Sequence, residues 1–247
     1  MLRHIKFANL HNFRDVGGYV GHGGRTVRWQ RLYRADSLGW LAGDDIPAFR
    51  ALRVRTVIDL RHPYEIEKRG RVPETEGLNY HNLPIEGRRW DFTLMRDDVT
   101  VARFLADRYL ELSEDRADLL RTAVETVAEA DNAPAVVHCA AGKDRTGILI
   151  ALVLALAGVS DEDIVADYAL TGLATERFMA DWQTRHPDSF MWAGFGLAPA
   201  EAMSMFLTDI SARHGSLAAY ATGPLGIGQE TVAEIRGHLL TDTAPEG

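Results

Sequence analysis

Short apolar runs alternate with longer amphipathic stretches through the first two thirds of the chain, and amphipathic stretches alone fill the rest. "VRTVIDL" (54–60) is β-branched and reads as a buried strand, as does "APAVVH" (133–138). "LNYHNLP" (78–84) and the partly alternating "TVRWQRLYRA" (26–35) are further strand candidates. "DDIPAFRALR" (44–53) reads as a short helix, with Asp44 or Asp45 as N-cap and Pro47 in its first turn. Residues 99–113 and 117–130 carry the apolar spacing of two amphipathic helices. A further helix starts at Arg145 or Thr146 and holds the longest apolar run, "ILIALVLALA" (148–157). Ten residues are too few to cross a bilayer and suit a buried helix. Four more helical stretches follow, at 160–172, 174–186, 199–215 and 228–240, while the Gly-rich "HNFRDVGGYVGHGG" (11–24) reads as loop.

Strands interleaved with helices predict an α/β fold: a mostly parallel central sheet flanked by helices, with extra C-terminal helices. No repeat or linker divides the chain, so one domain over residues 1–247 is expected. Residues 170–215 admit two readings. The aromatic- and Met-rich "FMADWQTRHPDSFMWAGFG" (178–196) suits either a helical lid insertion or core packing.

Net charge is −8, which argues against nonspecific binding to nucleic acid or to an anionic membrane. The first 18 residues hold no apolar core of signal-peptide length, and no integral membrane segment is expected. One cysteine permits no internal disulfide and no four-cysteine zinc site. A reducing compartment, the cytoplasm, is the simple reading, and secretion without a leader is compatible with it. The nine histidines show no metal-ligand spacing, so neither metal nor cofactor is expected.

The single cysteine, Cys139, stands where the strand 133–138 ends, in "HCAAGKDRTG" (138–147). Ligands bind at such carboxyl ends in open α/β sheets. If residues 140–144 curl around the thiol, their N–H groups form a nest for an anion, and the next helix adds its positive end. Gly142 permits backbone geometry that a side chain would obstruct, and Ala140 and Ala141 keep the rim small. Arg145 can place two donors on a tetrahedral oxyanion. A thiolate below such a phosphate can attack phosphorus and form a phosphocysteine. Thr146 can donate its hydroxyl to the sulfur, and His138 can orient the loop. The alternative, a core cysteine beside a helix cap, leaves the adjacent Lys143, Asp144 and Arg145 unexplained. A Walker loop is excluded, because Val137 holds its glycine position and Asp144 follows Lys143. A sulfurtransferase loop, or a silent phosphate-binding module, would not call for the Arg145–Thr146 pair.

"HCAAGKDRTG" resembles the signature loop of the cysteine-dependent phosphatases, and its "AGKDRTG" form is similar to bacterial tyrosine and lipid phosphatases. "NFRDVGGY" (12–19) resembles the opening motif of that family, with support from "VIDLRHPYEIE" (57–67), "IVADY" (164–168) and "HGSLAAY" (214–220). The resemblance implies the phosphatase α/β fold, with phosphorylated proteins or phosphoinositides as substrates and inorganic phosphate as product. It implies Cys139 as nucleophile, Arg145 as phosphate clamp, and Lys143 facing additional substrate phosphates. No "WPD"-type acid loop is present. Asp144, Glu86, Asp91 and Asp59 are the candidates for the general acid, with Asp144 favoured by its place in the loop. Asn12, Arg14 and Asp15 are candidates to brace the loop, or simply to form a turn with Gly17 and Gly18. Asp59, Arg61 and Glu65 are expected as a surface or interface ion-pair set, and Asp167 and Tyr168 as packing.

Overall fold

The computed structural model describes residues 2–85, 99–185, 187, 192 and 194–242. In chain order the elements begin with β1 (Arg14–Asp15), β2 (Thr26–Val27), β3 (Leu32–Ala35), α1 (Asp45–Ala51), β4 (Thr56–Asp59), α2 (Pro63–Arg69) and β5 (Asn79–Asn82). Next come α3 (Val101–Asp115), α4 (Ala117–Ala128), β6 (Ala135–His138), α5 (Asp144–Leu156), α6 (Asp161–Ala169) and α7 (Thr175–Arg185). The chain continues through α8 (Ala200–His214), α9 (Leu217–Thr222), α10 (Gln229–Leu239) and β7 (Leu240–Thr241).

The main sheet has the order β1-β3-β6-β4-β5, parallel except for β1 at its edge. The expected α/β class and mostly parallel sheet are therefore present. The central strand β6 is buried on both faces, and its side chains alternate between two cores. Val136 joins Phe13, Tyr33, Phe49 and Val57 on one face, and Val137 joins Ile58, Leu149 and Leu152 on the other. Helix α5 lies in the second core. Ile148 to Leu156 are all buried, as the run apolar on every side of the helix requires. Among the described residues no helix is long and apolar enough to cross a membrane.

Residues 26–35 are not one strand. Gln30 turns the chain with φ +60°, and the Asp15 carboxylate accepts the N–H groups of Gly17 (2.8 Å) and Gln30 (2.7 Å). β2 is thereby sent to pair with β7, while β3 enters the main sheet. Residues 14–15, expected as loop, form β1 against β3, with Arg14 opposite Arg34. Helix α2 was not expected. Its signal was Pro63 at the first position with Glu65 two residues on, whose Oε2 accepts the His62 N–H at 2.9 Å. Asp44 holds the N-cap position of α1 without capping it, and Asp45 instead accepts the N–H groups of Ala8 and Asn9. Helix α5 starts at Asp144, a residue earlier than expected.

Candidate active site

The loop between β6 and α5 is gripped by its carbonyls. Asn12 Nδ2 donates to the carbonyls of Ala141 (2.9 Å) and Gly142 (3.2 Å). Arg34 Nη2 donates to the Gly142 carbonyl at 2.8 Å, and the Ser37 N–H to that of Ala140 at 3.2 Å. With these carbonyls held outward, the N–H groups are left for the inside of the curl. Among the described residues none accepts the N–H of Ala140, Ala141, Gly142, Lys143 or Asp144. So many adjacent donors without a protein acceptor are uncommon in a folded chain, and such an arrangement can cradle an anion. Cys139 is buried at its base.

The grip is itself anchored. Arg14 Nη1 donates to Asn12 Oδ1, and Arg14 Nη2 to the Asp167 carbonyl at 2.8 Å. Arg34 pairs with the Asp167 carboxylate. All three side chains are fully buried. Burial raises the Asp167 carboxyl, but Arg34 and Arg14 outweigh it and hold it below the usual range. Burial and the neighbouring Arg34 push Arg14 down to about 9. Asn12 and Arg14 thus brace the loop, whereas Asp15 braces only the Gly17–Gln30 turn. Asp167, expected as packing, is the counter-charge of the brace. Arg34 escaped the sequence reading, since one arginine in an alternating run carries no signal.

Gly142 has φ +65°, and a Cβ there would lie 2.4 Å from the Ala35 carbonyl oxygen. That neighbour is strand backbone and cannot yield cheaply. Gly142→Ala should cost about 1–3 kcal/mol in a denaturant melt and lower phosphate affinity at least about tenfold. Unchanged phosphate binding would show that the curl does not need this contact.

His138 is buried with Nδ1 3.3 Å from the Cys139 carbonyl oxygen and Nε2 3.5 Å from Asp59 Oδ2. Burial pushes its ring down to about 4, so it stands neutral at the strand end. The expected Thr146–sulfur hydrogen bond is not formed. Thr146 Oγ1 is buried without a hydrogen-bond partner among the described residues.

Arg145 meets Glu65 through two hydrogen bonds, Nη1 to Oε2 at 2.6 Å and Nη2 to Oε1 at 3.0 Å. The set expected at a surface or interface is instead buried, and through Glu65 it meets the loop. Asp59 and Arg61 are fully buried, and Glu65 orients the loop arginine. Burial raises the Glu65 carboxyl, and Arg145 more than offsets it. Asp59 accepts from Arg61 Nε (2.9 Å), Arg61 Nη2 (2.7 Å) and Tyr80 Oη (2.8 Å). Burial raises its carboxyl, but the hydrogen bonds and charge of Arg61 hold it below the usual range, so it stays ionised. A carboxylate so occupied is a brace, poorly suited to give up a proton. Lys143 does not reach outward as expected. It is buried, and Nζ donates to the Leu197 carbonyl at 2.9 Å, with Asp144 Oδ1 at 3.4 Å. Asp144 Oδ1 accepts from Tyr109 Oη at 2.6 Å, and Tyr109 Oη meets Tyr168 Oη at 2.7 Å. Glu86 and Asp91 lie outside the described residues.

A model of the tyrosine phosphatase family matches residues 5–241. The chain belongs to this family. As a tyrosine phosphatase family member it is a hydrolase of phosphorylated substrates, which leaves no place for the sulfurtransferase alternative. A Cupriavidus necator protein named "putative tyrosine-protein phosphatase" is 30% identical over 96% of this chain and 88% of its own length. The triple specificity protein phosphatase PtpB of Mycobacterium tuberculosis is 28% identical, over 93% of this chain and 96% of its own. The solved catalytic core of Siw14 overlays with a TM-score of 0.41 at 15% identity, over 86% of this chain and 96% of that core. Within this phosphatase, no group of three His, Cys, Asp or Glu side chains that could hold a metal occurs among the described residues.

Proposed function

We propose that the protein hydrolyses phosphomonoesters through a phosphocysteine on Cys139, with Asp144 as the acid. The observation that carries this reading is the row of N–H groups from Ala140 to Asp144, without acceptors among the described residues, around a buried thiol. The thiolate attacks phosphorus, an S–P bond forms, and the ester P–O bond breaks. The leaving oxygen takes the Asp144 proton. Water then attacks phosphorus, returns a proton to Asp144, and releases phosphate and thiolate. The loop N–H groups and Arg145, steadied by Glu65, stabilise the charge of both transition states. No step calls for a metal or cofactor.

Phosphotyrosine proteins are the first substrate class in this reading, with phosphoserine, phosphothreonine and phosphoinositides as the broader range. The triple specificity in the name of the M. tuberculosis relative supports that breadth. The chain is read as one phosphatase domain. Within 170–215, α7 has no buried residue and is suited to cover the site, whereas Met203 and Phe206 of α8 are fully buried core. The test is a panel of phosphotyrosine, phosphoserine and phosphoinositide substrates in the presence of chelator, with acid-quenched enzyme searched for phosphate on the peptide holding Cys139. Turnover that requires added metal, or turnover with no such adduct, would overturn the reading.

A further inference from the structure

Asp144 is the first residue of α5, where the positive end of the helix favours a carboxylate. Its Oδ1 accepts a hydrogen bond from Tyr109 Oη at 2.6 Å. Tyr109 comes from α3 and is fully buried. Its hydroxyl is held in turn by Tyr168 Oη, from α6, at 2.7 Å. Because Tyr109 gives its only proton to Asp144, Tyr168 must donate to Tyr109, which fixes the direction of the chain. The Tyr168 ring packs against Gly147 of α5, where a Cβ would stand 3.1 Å from Cδ2. Two helices outside the loop thus converge, through hydroxyls alone, on one carboxylate oxygen.

We infer that Tyr109, backed by Tyr168, is a positioning residue for the Asp144 acid. With Oδ1 committed to Tyr109, the transferable proton is confined to Oδ2, and the carboxylate is kept off the N–H cradle that the phosphate needs. This rests on the acid role given to Asp144 above. The charged neighbour is the Lys143 ammonium, 3.4 Å from Oδ1, and Arg145 follows in the helix. Both hold positive charge near Asp144 whether or not Tyr109 is present, so the effect of the hydroxyl can be read against a constant background.

The experiment compares Tyr109→Phe, Tyr168→Phe and Asp144→Asn on a phosphotyrosine peptide and on para-nitrophenyl phosphate. Tyr109→Phe should lower kcat for the peptide roughly tenfold, within the range a positioned acid supplies, and that for the activated ester less than about threefold. A donor to the carboxylate favours its charged form, so its loss should move the alkaline limb of kcat to higher pH. Tyr168→Phe should shift both readouts the same way by less. In an Asp144→Asn background, Tyr109→Phe should add no further loss on the peptide. Equal losses on both substrates with an unmoved limb, or additive losses in the double variant, would reduce Tyr109 to packing. Retained turnover of the activated ester shows that the variants fold, and Tyr168→Phe keeps the question answerable if Tyr109→Phe does not. If Asp144→Asn itself slows both substrates alike, the acid reading has failed and this inference falls with it. If Asp144→Asn separates the substrates and neither tyrosine variant does, this inference fails alone.

Discussion

Cys139→Ser should leave no measurable turnover, a loss of at least about 10⁴-fold, while phosphate or vanadate still binds within a few-fold of the parent. The two halves of this result come from different parts of the site. A serine hydroxyl stays protonated near neutrality and is a poor nucleophile without a base, and neutral His138 stands with its ring toward Asp59 and the Cys139 carbonyl. Binding depends on the loop N–H groups and on Arg145, none of which involves sulfur. The carbonyl ties from Asn12, Arg34 and Ser37 are untouched by the substitution. Steady-state rates and calorimetric titration with phosphate check the two halves separately. Activity within about tenfold of the parent would sink the covalent mechanism.

Asp144→Asn carries the second large effect. A positioned acid contributes about 10²–10⁴-fold, and most where the leaving group is poor. Phosphotyrosine turnover should therefore fall by that order, para-nitrophenyl phosphate by far less, and the alkaline limb of the pH profile should disappear. Among the described carboxylates of the site the choice narrows on geometry. Asp59 has its oxygens filled by Arg61 and Tyr80, and Glu65 is committed to Arg145 and the His62 N–H. Asp144 alone of these lies in the loop with an oxygen outside its hydroxyl contact. Equal slowing of both substrates with an unchanged profile would make Asp144 an electrostatic brace and turn attention to Glu86→Gln and Asp91→Asn, compared on the same two substrates.

What the sequence made legible was local. The runs at 54–60 and 133–138 became central strands because β-branched residues buried on both faces leave little else to be. The loop 138–147 could be read because strand, glycine, arginine and helix are contiguous. Gly142 and Asn12 took the roles their types suggest. What stayed hidden was pairing between distant segments. Nothing in "TVRWQRLYRA" says that Arg34 will reach Gly142, or that Asp15 will capture Gln30 and break the run. Glu65 looked like a surface charge because its partner is 80 residues away. Lys143 was expected to face substrate, and only the Leu197 carbonyl, from beyond α7, explains its inward turn. Tyr109 showed as one apolar position in an amphipathic helix, and its hydroxyl gave no sign of its partner.

The grip on the loop carbonyls has a consequence for how competence is acquired during folding. Its side-chain ties span 108 to 130 residues of sequence, joining positions 12 and 34 to the loop. Contacts of such separation carry a large loop-closure entropy and form late relative to local helices. A nascent or truncated chain can therefore hold α5 and its neighbours without owning a cradle, because the outward pull on Ala141 and Gly142 comes from residues that must first cross the sheet. The chemistry of residue 139 is in this sense the property of a closed circuit through the N-terminal segment, and a fragment that opens the circuit keeps the thiol and its N–H neighbours but not the curl that aims them.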